Sequence, residues 1–369
     1  MKVLHVISSG QLRGAEIFAS DLIRALNGGA VEQRVAVLRG EMPMPAAYAA
    51  PTLTLDRGVR VPGIRIEMRS AMSLIEASRG WKPDIIQAHG GEPLKYALIA
   101  ARRSGAAVVY RRIGLVPPRA TAGVSRFAHG TLMRRANKVV AVAEAVRQET
   151  IHLFGVSPDR VVTIPRGVDR TRLRSTRDPA ELRGELGIPR DAPVVLSLGA
   201  LTWEKDPMEH LETLTSVRRE LPDVVHLVVG DGPLRSQVAA AVEAVGSADL
   251  TRLMGTREDV AELLGMSDVL LLASRSEGMP GCLIEAGMAG IPVAAYEVAG
   301  VSEVVRDGVT GFVVPRGDTR TLADRLITLL SDPALRTRLG AEARIRCEAL
   351  FDISIIAPTY QALYEEVAA

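Results

Sequence analysis

The stretch ASRSEGMPGCLIEAGMAG, from Ala273 to Gly290, decides the fold of this chain. It follows the apolar run VLLL at 269–272, which is typical of a buried strand in a parallel sheet. Pro280 suits the first position of a helix, because proline lacks an N–H that would be unpaired there. The pattern therefore predicts a strand, a glycine-bearing turn and a helix over 281–289.

The start of this predicted helix has the chemistry of an anion site. We expect the N–H groups of Gly281, Cys282 and Leu283 to be free, with glycines that let a phosphate approach the backbone. Glu277 lies in the turn, and Glu285 lies one turn into the helix. A carboxylate beside a phosphate is unfavourable unless it binds something else, and sugar hydroxyls are suitable ligands. The alternative is an ordinary strand–turn–helix with two solvated glutamates.

The composition bounds the class of protein. A chain of 369 residues with 47% hydrophobic content fits two domains of ordinary size. Cys282 and Cys347 make no disulfide framework and favour a reducing, cytoplasmic compartment. The sequence shows no Cys/His cluster with metal-ligand spacing and no apolar run long enough to span a membrane. We expect a soluble cytoplasmic protein, at most peripheral to the inner face of the plasma membrane.

The net charge of +2 hides an asymmetry between a basic N-terminal half and an acidic remainder. The basic half would attract an anionic membrane or a phosphorylated substrate. A solvated, arginine-rich surface is the alternative, and nucleic acid is disfavoured because no aromatic residues are interleaved with the arginines. The arginines and lysine concerned are Arg102, Arg103, Arg111, Arg112, Arg119, Arg126, Arg134, Arg135 and Lys138.

Strand-like and helical patterns alternate along the whole chain, which predicts parallel sheets covered on both faces. The predicted fold class is α/β, with two Rossmann-like domains that face each other across a cleft. We place the domains at 1–171 and 172–350, with a C-terminal helix at 351–369 packing back towards the N-terminal domain. Further helices are predicted at 69–79, 93–104, 124–135, 144–154, 319–331, 334–350 and 353–367.

Two positions in the N-terminal half lie where α/β sheets bind ligands. Gly14 belongs to the loop after the first predicted strand, although the loop is not the G-x-G-x-x-G of a dinucleotide site. His89 follows a buried strand directly and precedes two glycines. We interpret His89 as a ligand contact, with a purely structural histidine as the alternative.

The run from Gly255 to Val314 resembles the C-terminal domain of glycosyltransferase family 4, whose members are retaining, nucleotide-sugar-dependent enzymes of the GT-B fold. The pair Glu277 and Glu285 matches the E-x7-E motif of that family. The other residues that carry the resemblance are Gly255–Val260, Ser274–Pro280, Leu283–Ala286, Gly290–Val293 and Gly308–Gly311, with weaker similarities at Gly14–Glu16, His89, Val140–Glu144, Ile164–Asp169 and Glu204–Asp206.

The resemblance implies a role for each matching position. Glu277 would hold hydroxyls of the donor sugar, and Glu285 the ribose hydroxyls. Lys205 would bind the phosphates, and His89 would lie beside the reacting sugar. The remaining implied binding residues are Gly14 at the phosphates and acceptor, Arg257 in the base-binding loop, Glu303 near the nucleotide, and Gly278, Met279, Pro280, Gly281, Cys282 and Leu283 at the pyrophosphate or sugar.

Three positions depart from the family pattern. Ala200 follows Gly199 where the family often has an arginine that joins the lysine at the phosphates. Arg166 stands in place of the asparagine of the usual Pro-Asn-Gly and is a candidate for the missing positive charge. Arg13 stands where the family commonly has a second glycine, which would narrow the acceptor side.

The implied activity is retaining transfer of a hexosyl-type sugar from a nucleotide diphosphate sugar, with a UDP-sugar as first choice. A saccharide or lipid-linked acceptor of cell-envelope polysaccharide or glycolipid synthesis is expected. We favour same-face transfer, in which the helix start and Lys205 stabilise the diphosphate without a metal ion, since no Asp-x-Asp motif is present. The alternatives are a nucleotide-sugar 2-epimerase and a non-catalytic sugar-nucleotide-binding protein.

Overall fold

The computed structural model describes residues 1–9, 14–39, 49–55, 67–116 and 121–369. The strands are β1 (Lys2–Ser9), β2 (Glu32–Arg39), β3 (Thr52–Thr54), β4 (Ile85–His89), β5 (Ala107–Arg112), β6 (Lys138–Ala141), β7 (Val161–Thr163), β8 (Val194–Leu198), β9 (Val225–Val229), β10 (Thr251–Gly255), β11 (Val269–Leu272), β12 (Val293–Glu297) and β13 (Gly311–Pro315).

The helices are α1 (Gly14–Leu26), α2 (Met68–Trp81), α3 (Gly91–Ser104), α4 (Gly123–Met133), α5 (Glu144–His152), α6 (Pro179–Glu185), α7 (Pro207–Val217), α8 (Arg235–Ala244), α9 (Val260–Gly265), α10 (Gly281–Ala289), α11 (Val301–Val304), α12 (Thr319–Ser331), α13 (Pro333–Phe351) and α14 (Ile353–Ala368). Each helix predicted from the sequence is present, with ends that shift by a few residues at most. The alternation of strands and helices is therefore confirmed.

The chain forms two compact units. The first contains Met1–Val168 together with Ile353–Ala369, and the second contains Asp169–Asp352. The last helix, α14, thus belongs to the first unit, where it packs against α1 and β4. Its buried face includes Tyr360 and Tyr364, which join the apolar core under β1 and β4.

The sheet of the first unit has the strand order β3-β2-β1-β4-β5-β6-β7, and the paired strands are parallel. That of the second has the order β10-β9-β8-β11-β12-β13, also parallel. The VLLL run forms β11 at the centre of the second sheet, with each side chain at most 2% exposed. Such continuous apolar strands are buried on both faces, as expected for a parallel sheet between helices.

The helix predicted at 281–289 is confirmed as α10 with the same bounds. It ends at Gly290, whose φ of +78° is the left-handed conformation that glycine adopts without a steric penalty. Pro280 is the residue before the helix rather than its first residue, because its backbone is extended (φ −73°, ψ 114°). Its carbonyl accepts a bond from the Leu283 N–H at 3.2 Å, so the expectation that the Leu283 N–H is free was wrong.

Candidate active site

The order of strands in the second sheet locates its candidate site. Strands β8 and β11 are neighbours, although they are far apart in sequence. Helix α7, after β8, packs with α8 and α12, whereas α10, after β11, packs with α9 and α13. The loops after β8 and β11 therefore diverge towards opposite faces and leave a crevice at the carboxyl ends of the strands. Open α/β sheets bind ligands at this point.

Glu277 and Lys205 meet at this crevice. The Lys205 ammonium donates to Glu277 Oε1 at 2.6 Å, and the Ser274 hydroxyl donates to the same oxygen at 2.7 Å. Glu277 is only 8% exposed, so the alternative of a solvated glutamate was wrong for this residue. The Lys205 side chain keeps 28% exposure, so that its charge is accessible from solvent while it neutralises the buried carboxylate.

Side chains behind the crevice fix the two loops. The imidazole of His210, on α7, accepts a bond from the Ala273 N–H at 2.8 Å and so holds the end of β11. Burial lowers the pKa of His210 to about 4, which keeps this acceptor nitrogen unprotonated at neutral pH. Asp206, next to Lys205, accepts two bonds from the Arg275 guanidinium, which also stacks on Trp203. These contacts fix the positions of the two loops that carry Lys205 and Glu277.

Glu285 is likewise buried, with 8% exposure, and lies on α10 within the second unit. The Arg172 guanidinium approaches its Oε1 at 3.4 Å, a long contact for an ion pair between partly buried side chains. The sequence analysis did not predict this contact, because 113 residues separate the two partners. No local pattern could have revealed it.

The loop after β12 packs closely on the turn that carries Glu277. A Cβ atom placed on Gly300 would lie 1.7 Å from the carbonyl oxygen of Gly278, and the φ of Gly300 is +78°. Both the contact and the conformation require glycine. Glu303 follows in α11, where its backbone carbonyl accepts a bond from Arg346 at 2.7 Å. The structure therefore brings the segment that contains Glu303 next to the turn that carries Glu277.

Arg257 lies farther along the same sheet edge. It follows β10, the edge strand, from which two strands separate β11. Its guanidinium donates to both carboxylate oxygens of Asp259, at 2.7 and 2.5 Å, and this pairing raises the pKa of Arg257. A base-binding role for Arg257 stays a prediction, since the side chain is occupied by Asp259 in this structure.

The first unit has an equivalent crevice between β1 and β4, which are neighbours in its sheet. Gly14 is the first residue of α1, after β1, and His89 is the last residue of β4. A Cβ atom on Gly14 would lie 2.8 Å from Arg166 Nη1, so Arg166 reaches the start of α1. Arg13, the expected obstacle on the acceptor side, lies outside the described residues.

Two of the arginines assigned to a basic surface are buried. Arg111 is 2% exposed and Arg112 is 1% exposed. The Arg111 guanidinium stacks 3.7 Å from the Phe18 ring, and that of Arg112 pairs with Glu149. Consecutive residues of β5 point to opposite faces of a sheet that is covered on both sides, so neither can reach solvent. Arg102, Arg103, Arg126, Arg134 and Arg135 remain exposed, and Arg119 lies outside the described residues.

Family models match both units of the chain. The model described as "Glycosyltransferase Family 4" matches residues 12–172, and that described as "Glycosyl transferases group 1" matches residues 178–346. The chain belongs to glycosyltransferase family 4. The E-x7-E pair and Lys205 lie within the second match, and Gly14, His89 and Arg166 within the first.

Relatives of this family 4 protein are named transferases or synthases. It is 30% identical over 235 residues to "N-acetyl-alpha-D-glucosaminyl L-malate synthase" of Bacillus anthracis, with 64% of the chain and 61% of that relative's length aligned. It is 24% identical over 278 residues to "UDP-Gal:alpha-D-GlcNAc-diphosphoundecaprenol alpha-1,3-galactosyltransferase" of Escherichia coli, covering 73% of the chain and 72% of that relative. The chain thus spans less than two thirds of the Bacillus relative, and neither name supports the epimerase alternative.

A solved structure confirms the predicted fold. The Anabaena protein HepE, crystallised with UDP and glucose, superposes with a TM-score of 0.86 at 20% identity, over 99% of this chain and 100% of HepE. The fold of this family 4 protein is therefore GT-B, with two parallel-sheet α/β domains. Among the residues that the structure describes, no helix is long and apolar enough to cross a membrane.

Proposed function

We propose that this protein transfers a hexosyl-type sugar, with retention, from a nucleotide diphosphate sugar to a saccharide or lipid-linked acceptor. A UDP-sugar is the proposed donor, since the Escherichia coli relative is named for UDP-galactose and HepE was crystallised with UDP. The observation that carries the proposal is the ion pair of Lys205 and Glu277 at the crevice of the second sheet.

The ion pair suits a ligand that carries both phosphates and hydroxyls. Lys205 is the more exposed partner, at 28% against 7% for the Glu277 side chain, so an incoming phosphate can reach the ammonium. A phosphate that binds Lys205 weakens the electrostatic attraction between the lysine and Glu277. The carboxylate is then able to accept hydrogen bonds from sugar hydroxyls. A nucleotide diphosphate sugar offers both groups within one molecule.

Glu285 supports the nucleotide half of this assignment. Its buried carboxylate has a weak contact with Arg172 at 3.4 Å, and a buried carboxylate gains from further hydrogen-bond donors. Ribose hydroxyls are neutral donors that would complete its bonding. We place the ribose at Glu285, the diphosphate at Lys205 and at the backbone of Gly278–Cys282, and the transferred sugar at Glu277.

The chemistry follows from charge stabilisation. As the bond to the anomeric carbon breaks, negative charge grows on the diphosphate, and Lys205 together with the start of α10 stabilises it. The protein then needs no carboxylate nucleophile beneath the sugar, and same-face attack by the acceptor retains the configuration. We propose that these groups suffice without a metal ion.

The decisive experiment measures UDP release and UDP binding in matched variants. Lys205→Met should lower turnover with a panel of UDP-sugars by roughly 10²–10³-fold, the usual effect of removing a group that stabilises developing negative charge. It should also reduce the thermal stabilisation that UDP gives. Glu212→Gln is the control, because Glu212 is exposed on α7 in the same unit. Full activity of Lys205→Met would exclude the assignment.

Helix α4 of the first unit is a candidate contact with an anionic membrane that carries the acceptor. It exposes Val124 at 85% and Phe127 at 70%, an i, i+3 pair on one face, beside the exposed Arg126. Exposed apolar side chains next to arginines suit an interface of acyl chains and acidic headgroups. We propose this surface of α4 for the membrane contact, because Arg111 and Arg112, which were expected to contribute to it, are buried.

Sedimentation with vesicles tests this contact. Phe127→Asp should reduce binding to vesicles that contain phosphatidylglycerol, and the loss should exceed that of Ile345→Asp. Ile345 is a matched control, since it is 65% exposed on a helix of the second unit. Binding that is equal for both variants, or insensitive to salt and to anionic lipid, would refute the membrane proposal without affecting the catalytic one.

A further inference from the structure

Three buried polar side chains form a continuous chain of hydrogen bonds across the first sheet. His5 Nδ1 lies 3.1 Å from His89 Nε2, and His5 Nε2 lies 3.1 Å from Gln33 Oε1. The Gln33 amide nitrogen donates to the carbonyl oxygen of Ile23 at 2.9 Å. His5, Gln33 and His89 are 0%, 6% and 2% exposed, so solvent cannot replace these bonds.

The backbone carbonyl at the far end fixes the direction of every bond in the chain. A carbonyl oxygen only accepts, so the atom of Gln33 that faces Ile23 must be the NH₂ group. The other atom of the amide is then the oxygen, which also only accepts. His5 Nε2 must therefore carry a proton and donate it to Gln33.

Both histidines are neutral at physiological pH. Burial lowers the pKa of His5 to about 4. Burial also lowers the pKa of His89 well below 6.5, with further repulsion of a proton by His5 when it is protonated and by the Arg111 guanidinium. With its proton on Nε2, neutral His5 has only a lone pair on Nδ1. His89 Nε2 must therefore donate to it, and His89 Nδ1 is left as an acceptor without a proton.

His89 Nδ1 has no hydrogen-bond partner among the described residues, although it is buried. Leaving a buried acceptor unsatisfied costs about 1–3 kcal/mol, so a group that completes the bond is favoured. His89 is the last residue of β4, at the edge of the sheet where ligands bind. Because the free position is a lone pair, the complementary group is a hydrogen-bond donor rather than a phosphate.

We propose that His5 and Gln33 are positioning residues that hold His89 in the Nε2–H tautomer, so that its Nδ1 accepts a hydrogen bond from a hydroxyl of the sugar substrate. This inference rests on the proposed function for the identity of the ligand. The tautomer itself is a property of the unliganded protein. A low proton affinity suits His89 to hydroxyl recognition and not to general base catalysis.

Nuclear magnetic resonance of the full-length protein, labelled with ¹⁵N-histidine and free of ligand, tests the tautomer directly. Long-range ¹⁵N–¹H spectra at neutral pH should show His89 protonated on Nε2 alone. Gln33→Leu removes the acceptor of His5, so a substantial fraction of His89 should change to the Nδ1–H form.

Gln87→Leu is the matched control. Gln87 is a buried glutamine paired in register with His5 on the adjacent strand, and its amide atoms have no partner among the described residues. Its replacement should leave the His89 tautomer unchanged. If Gln33→Leu does not fold, His5→Phe removes the acceptor of His89 and should have the same effect. A wild-type His89 protonated on Nδ1, or a tautomer that Gln33→Leu leaves unchanged, would overturn the proposal.

A kinetic comparison separates this inference from the proposed function. Gln33→Leu should bind UDP as the wild type does, since Lys205 and Glu285 are in the other unit, but turn over a UDP-sugar about tenfold more slowly, the equivalent of one hydrogen bond. Failure of the wild type to bind UDP would refute the proposed function alone, whereas a tautomer change without a change in turnover would refute the role of His89 in substrate binding.

Discussion

The candidate site of the second sheet is built on ion pairs, whereas the hydrogen-bonded chain of His5, Gln33 and His89 in the first sheet is neutral. The pairs that involve predicted site residues or the loops beside them include Lys205–Glu277, Arg172–Glu285, Arg257–Asp259 and Arg275–Asp206. In the first unit, His5 and His89 have pKa values below their usual range, and burial lowers the pKa of Arg111 to about 10. The two groups lie in sheets of similar topology and differ in charge.

The difference shows how one architecture supports two kinds of recognition. A charged pair at a crevice can exchange partners with a ligand that carries both charge and hydroxyls, as proposed for Lys205 and Glu277. A neutral acceptor such as His89 Nδ1 instead selects a hydrogen-bond donor. The parallel sheet supplies the crevice in both cases, and the side chains decide what fits.

The largest expected effect concerns pairing in the first unit. Arg112→Met should lower the free energy of unfolding by about 3–5 kcal/mol, because it leaves the Glu149 carboxylate without its buried partner. Arg111→Met should be close to neutral, since Arg111 stacks on Phe18 and the methionine can occupy the same space. Urea denaturation of the two variants measures the contrast. Equal losses would contradict the distinction between Arg112, which is paired with a carboxylate, and Arg111, which has no carboxylate partner in the part of the chain that the structure describes.

Gly300→Ala tests the packing that brings Glu303 to the turn of Glu277. The variant should lose about 3 kcal/mol of stability and bind UDP more weakly, because its Cβ would overlap the Gly278 carbonyl. Gly308→Ala is the control, with a similar φ of +69° and nothing within 4 Å of the new Cβ, and should lose only about 1 kcal/mol. Calorimetry measures the stability of both variants, and titration measures their binding of UDP. Equal losses in the two variants would contradict the importance of the contact between Gly300 and the Gly278 carbonyl.

The buried histidines make the two units alike in one respect. His5 and His210 each have a pKa of about 4 in the folded protein, against 6.5 when the imidazole is exposed. Each histidine therefore takes up a proton when the protein unfolds at a pH below 6.5. Their stabilising contribution is full above pH 6.5 and falls as the pH drops to about 4. At pH 5 the loss should be about 2 kcal/mol for each histidine.

His210→Gln keeps an acceptor for the Ala273 N–H and removes one of these titrating groups. Its stability should therefore fall less than that of the wild type between pH 7 and pH 5, as measured by urea denaturation at the two values. An identical pH dependence would contradict the burial of a neutral His210.

The smallest expected effect is that of metal removal. Turnover of a UDP-sugar should be unchanged after treatment with EDTA, since Lys205 and the start of α10 are proposed to stabilise the leaving diphosphate. Activity that disappears with EDTA and returns with Mg²⁺ or Mn²⁺ would mean that Lys205 and the start of α10 do not stabilise the leaving diphosphate sufficiently without a metal ion.

Periodicity predicted most of the fold, because the signals for strands and helices are local. The VLLL run, the glycine-bearing turn and the helix ending at Gly290 are confirmed with their bounds. The sequence signals failed where burial depends on distant segments. Arg111 and Arg112 were expected on a charged surface, but the helices that cover β5 lie elsewhere in the chain.

For the candidate site, the resemblance to the family identified Glu277, Glu285 and Lys205 as members of one group, and their roles stay predictions. Arg172, His210 and the bonds from His5 to Gln33 were missed, since no spacing in the sequence indicates that such residues meet. Gly300 was also missed as a packing position, because the carbonyl that excludes a side chain belongs to Gly278 on another loop.

By itself, the sequence determined the alternation of strands and helices, which follows from local periodicity. Its motifs carried the resemblance to the family, and that resemblance implied the GT-B architecture. Only the tertiary structure decided which charges are paired, which histidine nitrogen accepts a bond and which arginines are buried. Those properties depend on distances between residues far apart in the chain, and such distances are fixed only when the sheets and helices pack.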